Sequence, residues 1–224
     1  MKLIERELGL EIEIKENIVS VLVLEDINLR LSLIEELYLQ VQGKDGKWLL
    51  AENEKTFDLS KNIEMILEPF SLQLNNKKVK MKLYQDMKLI AEDFFYTQGL
   101  EVHSHICNYL ENLTEKISYP IKYTEEWNLL ELFKTYNVEL EEECSDICEK
   151  LFHYINLTNQ VCGIDIFVAV NLKQYLSENQ LLELYKLVKY SKINLILIEF
   201  GMYKQKYDCE EVYILDKDDC LITY

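Results

Sequence analysis

Five lysines stand within a dozen residues in a chain that is otherwise acidic: Lys77, Lys78, Lys80, Lys82 and Lys88. The chain has a formal net charge of −16, whereas residues 75–90 contain these lysines and a single aspartate, a local charge of +4. Ammonium groups at this density can contact the phosphates of a polyanion as point charges. The alternative is the solvated face of an ordinary lysine-rich helix.

Carboxylates form a second kind of candidate site, because they concentrate in residues 125–131, 139–149 and 216–219. Calcium takes about six to eight oxygen ligands, so dense carboxylates could hold it and lose their mutual repulsion. Solvated acidic surfaces are the common alternative. The run of Asp216, Asp218 and Asp219 also lacks the glycine and the closing glutamate of an EF-hand loop.

Histidine and cysteine offer weaker candidates for a metal site. Cys144 and Cys148 stand alone without a second pair at zinc-ligand spacing, and His103, His105 and Cys107 alternate on a predicted helix. Residues two apart on a helix point in different directions, so packing or surface roles are favoured for both groups. No secretion signal precedes the six cysteines, and we expect reduced thiols in a cytoplasmic protein that does not enter a membrane.

Catalytic motifs are missing from the sequence. The first buried strand, at residues 19–24, is followed by Glu25 and Asp26, which would repel a phosphate where a nucleotide-binding fold needs glycines. The patterns G-x-x-x-x-G-K-[ST], G-x-G-x-x-G and G-x-S-x-G do not occur. The sequence therefore predicts a protein that is not an enzyme.

The pattern of apolar residues predicts the strands and helices that hold these lysines. Residues 19–24, 163–170 and 194–200 are apolar runs typical of central parallel strands, and helical patterns separate them. Between residues 75 and 120 the period is helical throughout, with Gly99 suggesting a break or bend and Pro120 ending the segment. We therefore predict an α/β head with a mostly parallel sheet, made of residues 1–74 and 121–224, and an inserted helical leg of residues 75–120.

The first leg helix has an apolar stripe, and the lysines lie away from it. The stripe consists of Val79, Leu83, Met87, Ile90 and Phe94. At 100° per residue, two of the lysines fall on the opposite face and the other three on its flanks. Because the chain has only two arginines, bidentate recognition of bases is not expected. Any nucleic-acid binding would be independent of sequence.

Several segments are informative through their order and spacing. They are residues 21–26 (VLVLED), 129–133 (LLELF), 137–140 (NVEL), 146–150 (DICEK), 167–171 (FVAVN), 176–177 (LS), 194–199 (NLILIE), 213–216 (YILD) and 221–223 (LIT). Together they resemble the Csn2 family of type II-A CRISPR-associated adaptation proteins, and the resemblance covers nearly the whole chain.

The resemblance implies a head similar to a P-loop ATPase core without its phosphate-binding loop. It further implies a homotetrameric ring with a positively charged central hole. Double-stranded DNA would enter this hole by one of its ends, and the five lysines would contact the DNA. Calcium would stabilise the ring, and the positions similar to its ligands are Glu125, Glu126 and Glu131. The implied partners are the CRISPR integrase proteins and the type II effector nuclease, and the implied role is spacer acquisition in antiviral defence.

Two other interpretations remain open from the residues. The protein could be an acidic adaptor of the adaptation complex whose lysine helix docks a protein and does not bind DNA. It could also be a nucleotide-dependent enzyme, which the loop at Glu25 and Asp26 argues against.

Overall fold

The computed structural model of the chain describes residues 1–141, 146–201, 207–218 and 220–223. The chain divides into two compact units, an α/β unit of residues 1–74 and 143–224 and a helical unit of residues 75–142. The helical unit begins where the leg was predicted to begin and continues past residue 120. No helix within the described ranges is both long and apolar enough to cross a membrane.

A six-stranded, mostly parallel sheet forms the centre of the α/β unit, which agrees with the predicted fold class. Its strand order is β10-β9-β3-β8-β7-β6, and only β10 is antiparallel to its neighbour. The strands are β3 (Val19–Leu24), β6 (Ile63–Ile66), β7 (Ile166–Val170), β8 (Asn194–Glu199), β9 (Glu210–Leu215) and β10 (Leu221–Thr223). Every residue of β3 and β7 is buried, as expected for strands covered on both faces.

A second, antiparallel sheet of four strands belongs to the same unit, in the order β2-β1-β4-β5. Its strands are β1 (Lys2–Glu5), β2 (Leu10–Glu13), β4 (Trp48–Glu52) and β5 (Lys55–Phe57). None of these four strands is among the apolar runs from which the parallel sheet was predicted, and the second sheet was not predicted. The apolar side chains Leu3, Leu10 and Leu50 of this sheet are buried in one core cluster.

The described part of the α/β unit contains the α-helices α1 (Ile27–Val41), α2 (Leu59–Asn62), α6 (Ile147–Cys162) and α7 (Glu178–Tyr190). Leu33 and Leu37 of α1 share a cluster with one face of the parallel sheet. Leu151 of α6 and Leu184 of α7 share a second cluster with the opposite face. Apolar side chains thus cover the central strands on both sides.

The helical unit contains α3 (Lys77–Phe94), α4 (Tyr96–Thr114) and α5 (Leu129–Thr135). The break between the two long helices comes at Phe95 and not at Gly99, which lies inside α4. Phe95 has φ −122° and ψ 18°, outside helical geometry, whereas a glycine can remain in a helix at a modest cost. The predicted position of the break was therefore wrong by four residues.

Candidate nucleic-acid interface

Helix α3 begins at the lysine cluster, and Asn76 is its N-cap. The side-chain oxygen of Asn76 accepts hydrogen bonds from the backbone N–H groups of Lys78 and Val79, both at 3.0 Å. This cap fixes the residue at which the helix begins. The lysines that follow it are therefore held at set distances from one another along one helix.

The lysines occupy the electrostatically unfavourable end of α3. Four of the five fall in its first six residues, and its first turn contains no acidic residue. A helix N-terminus carries a partial positive charge, so cations there destabilise the helix while anions would stabilise it. Stability of the helix does not explain this arrangement, whereas contact with an anionic ligand does.

The inner face of α3 packs within the helical unit only along its first half. Val79 and Tyr84 are buried, and the Tyr84 ring lies 5.7 Å from that of Phe133 on α5, measured between centroids. Farther along the predicted stripe, Ile90 and Phe94 are exposed, Phe94 to 78%. Among the described residues, the predicted apolar stripe therefore packs near the lysines and is exposed at its far end.

The five lysines differ in exposure and in their ion pairs. Lys77, Lys78 and Lys88 are exposed, and Lys80 and Lys82 are partly buried. Lys82 pairs with Asp86 at 2.8 Å, Lys88 pairs with Glu92 at 3.6 Å, and Lys80 forms a close ion pair with Glu139. No carboxylate within the described ranges pairs with Lys77. Exposed ion pairs contribute about 0 to 1 kcal/mol, so a phosphate could replace these carboxylates at small cost.

Carboxylates near the lysines were not part of the predicted site. Asp86 and Glu92 stand four residues after Lys82 and Lys88, so their helical spacing makes both pairs readable from the sequence. Glu139 is 59 residues from Lys80, and only the folded chain brings them together. Residues 75–142 contain 8 basic and 12 acidic side chains, so the helical unit has a net charge of −4 and its positive charge is local.

The three glutamates expected to bind calcium are all exposed. Glu125 and Glu126 lie in a segment without regular secondary structure, and Glu131 in the first turn of α5 pairs with Lys134 at 2.7 Å. Among the residues that the structure describes, no three histidine, cysteine or acidic side chains are grouped as metal ligands. The described geometry therefore does not itself assemble a calcium site from these glutamates.

The other groups considered as metal ligands have local contacts or fall outside the described residues. Cys107 lies 3.7 Å from a ring nitrogen of His103, one turn away on α4. The carboxylate of Asp216 accepts from the N–H groups of Asp218 and Cys220 and so closes the turn before β10. Burial raises the pKa of the Cys148 thiol to about 11, which keeps it protonated near neutral pH. Glu142, Glu143, Cys144 and Asp219 lie outside the described residues.

The start of α1, directly after β3, is capped by a carboxylate. Asp26 is the N-cap of α1, and its carboxylate accepts from the N–H groups of Asn28 and Leu29 at 2.9 and 2.8 Å. These are the backbone donors that a phosphate would use at a helix N-terminus. A carboxylate already occupies this anion position, which argues against the nucleotide-dependent alternative.

Comparison with known proteins decides the family. A model of the CRISPR-associated Csn2 protein family matches residues 40–219. The chain belongs to the Csn2 family. The CRISPR-associated protein Csn2 of Streptococcus agalactiae is 22% identical over 209 residues, which cover 91% of this chain and 90% of the relative. Among solved structures, a putative ABC transporter ATP-binding protein from Pyrococcus furiosus matches with a TM-score of 0.42 and 12% identity, covering 95% of this chain and 97% of the other.

Large apolar side chains are exposed along α4 of this Csn2 protein. The helix has no buried residue, and its apolar side chains Ile106 and Leu113 are exposed. A groove of about 530 Å³ lies within the helical unit and is lined by Phe95, Tyr96, Trp127 and other residues of α3, α4 and the segment before α5. Soluble chains seldom leave such surfaces open unless another molecule covers them.

Proposed function

We propose that four copies of this Csn2 protein assemble into a ring that binds double-stranded DNA without sequence preference, and that the DNA enters from an end. In this proposal the protein is not an enzyme, and it acts with the CRISPR integrase proteins and the type II effector nuclease in spacer acquisition. The observation that carries DNA binding is the position of four lysines at the start of α3, where they oppose the helix dipole.

Two observations support assembly and a DNA path confined to the helical unit. The exposed apolar residues of α3 and α4 provide surface that other copies could cover. The α/β unit has 16 basic and 28 acidic residues, a net charge of −12, and so repels DNA. A single chain offers only five clustered lysines, and symmetric assembly would multiply this modest charge around one axis.

DNA ends should be required for tight binding. We expect linear double-stranded DNA to bind at least about tenfold more tightly than the same sequence as a relaxed closed circle, since a closed circle cannot thread a closed ring. Gel-shift titration of the two forms at one salt concentration measures this. Linear DNA with both ends blocked by bound streptavidin is the matched control and should behave like the circle. Equal affinity for all three forms would exclude threading.

Calcium removal tests the metal part of the proposal, which rests on the family resemblance. We expect the chain to run as a tetramer in size-exclusion chromatography with light scattering when calcium is present, and as smaller species after chelation. Loss of calcium would leave its carboxylate ligands repelling one another. The variant Glu125→Gln with Glu126→Gln should run small even with calcium, and Glu35→Gln in the α/β unit should behave as wild type. An unchanged tetramer in chelator would contradict a calcium-dependent ring.

A protein-docking role for the lysine face is the second candidate, because carboxylates in the described part of the helical unit already pair with Lys80, Lys82 and Lys88. Reversing the charge of Lys78 and Lys82 separates the two functions. If the protein is an adaptor, the variant should lose its protein partner with no change in DNA affinity, whereas a DNA-binding ring should lose its affinity for DNA.

A further inference from the structure

Helix α1 of the α/β unit has two apolar faces. Its inner face, with Leu33 and Leu37, is buried in the core. Its outer face exposes Ile27 and Leu31, each to 68%, and Tyr38 to 40%. At 100° per residue these three positions fall within about 40° of each other, so they form one stripe of three turns along the helix. A helix of a soluble chain needs only its inner apolar face to pack, so the outer stripe has no role in the fold.

The charged groups around this stripe are acidic. Glu25, just before the helix, and Glu35, beside the stripe, are both exposed. The only basic residue of α1 is Arg30, which folds back: its guanidinium donates to the carbonyl oxygen of Leu24 at 3.0 Å and lies 4.3 Å from the centre of the Phe200 ring. The outer face of α1 therefore presents apolar side chains with negative charge and no exposed cation.

The apolar side chains and the negative charge of this face together indicate which kind of molecule could bind it. DNA is excluded, since its phosphates would meet carboxylates on a unit with a net charge of −12. A second copy pairing through the same face would place Glu25 and Glu35 near their own symmetry mates, and like charges across an interface are costly. A protein segment with apolar side chains along one face and lysine or arginine beside them satisfies both features of the stripe.

We propose that the outer face of α1 is the docking surface for a basic amphipathic helix of a partner protein. Its apolar side chains would pack between Ile27, Leu31 and Tyr38, and its cations would lie against Glu25 and Glu35. This contact is separate from the lysines of α3, so the same molecule could hold DNA through its helical unit and a protein through its α/β unit. The proposal goes beyond DNA binding and does not depend on it.

Binding measurements with purified proteins test this docking surface. The wild-type protein would be immobilised, and the binding of the integrase proteins and of the effector nuclease of the same CRISPR system would be measured one by one by biolayer interferometry. We expect at least one of these proteins to bind. Its affinity should fall about tenfold or more for the double variant Ile27→Gln with Leu31→Gln, because a few central apolar side chains contribute most of the binding energy of an interface. Glu35→Lys should weaken the same partner and reduce the salt dependence of its binding.

Two controls keep the test specific. Tyr190→Gln removes an apolar side chain that is 87% exposed on α7 of the same unit, and should bind like wild type. Affinity for linear DNA should be unchanged in the α1 variants, so failure of DNA binding and failure of this proposal remain distinguishable. The proposal is overturned if none of the purified proteins binds wild type, or if the α1 variants bind them equally well. It is also overturned if the double variant changes the oligomeric size, which would make the face a contact between copies.

Discussion

Replacing Lys77 and Lys78 with glutamate should lower the affinity for linear double-stranded DNA by about a hundredfold or more. Both side chains are exposed at the start of α3, and the change reverses two charges in every copy of the assembly. Each lost lysine–phosphate contact should also reduce the slope of log affinity against log salt by about 0.9. Fluorescence anisotropy of a labelled duplex, titrated at several salt concentrations, gives both quantities.

This double variant should lose DNA without losing stability. Glutamate in the first turn of a helix interacts favourably with the helix dipole, so α3 should be as stable as in wild type or slightly more stable. The matched control is Lys186→Glu with Lys189→Glu, which makes the same change in net charge at exposed positions of α7 in the α/β unit. The control should bind DNA nearly as wild type does.

Three results would contradict the lysine–phosphate contact. One is unchanged affinity in the α3 variant, the second is an unchanged salt slope, and the third is an equal loss in the α7 control, which would show a response to total charge. The acidic adaptor predicts the first of these together with loss of a protein partner. The same pair of variants therefore separates the proposed DNA-binding ring from its main alternative.

The central part of the fold could be predicted because its signals are local. The apolar runs of β3, β7 and β8 have the composition and length of buried parallel strands, and the helical period of residues 77–94 extends over five turns. Features that depend on distant partners were not predictable. The antiparallel sheet pairs Leu3 with Leu50, and the sequence between them gives no sign of that register.

The extent of the helical unit illustrates the same limit. Pro120 was predicted to end the leg, but α5 belongs to this unit because Phe133 packs on Tyr84. The candidate site, too, could be predicted only in part. The helix and the position of its lysines away from the apolar stripe could be read from spacing, whereas the ion pairs of Lys80 with Glu139 and of Lys173 with Glu210 join residues far apart in the chain.

Lys173 and Glu210 form a buried ion pair in the α/β unit. The ammonium nitrogen lies 2.6 Å from the carboxylate, and the two side chains are only 5% and 1% exposed. Glu210 also accepts a hydrogen bond from the hydroxyl of Tyr185 and one from the backbone N–H of Tyr207 at 3.3 Å. Such a network fixes the start of β9 against the turn after β7 and against α7.

The phenol of Tyr185 takes part in this network as a donor. Burial, and then the carboxylate of Glu210, raise the pKa of Tyr185, so its hydroxyl keeps its proton in the folded state. A group whose pKa is raised by folding contributes stability below its unfolded pKa, which is about 10 for tyrosine, and loses it as the pH rises further. The contribution of this hydrogen bond should therefore be constant across neutral pH and fall only above about pH 10.

Lys173→Met should lower the free energy of unfolding by about 3–5 kcal/mol, because it leaves the carboxylate of Glu210 buried without the ammonium group that balances it. Urea denaturation at pH 7 measures the change. Combining Lys173→Met with Glu210→Gln should recover much of the loss, since the neutral amide oxygen still accepts from Tyr185 and position 210 no longer places a charge in the core. Lys189→Met, at an exposed position of α7, should change stability by less than about 0.5 kcal/mol. A single variant within about 1 kcal/mol of wild type, or a double variant no more stable than the single one, would show that Glu210 does not depend on Lys173.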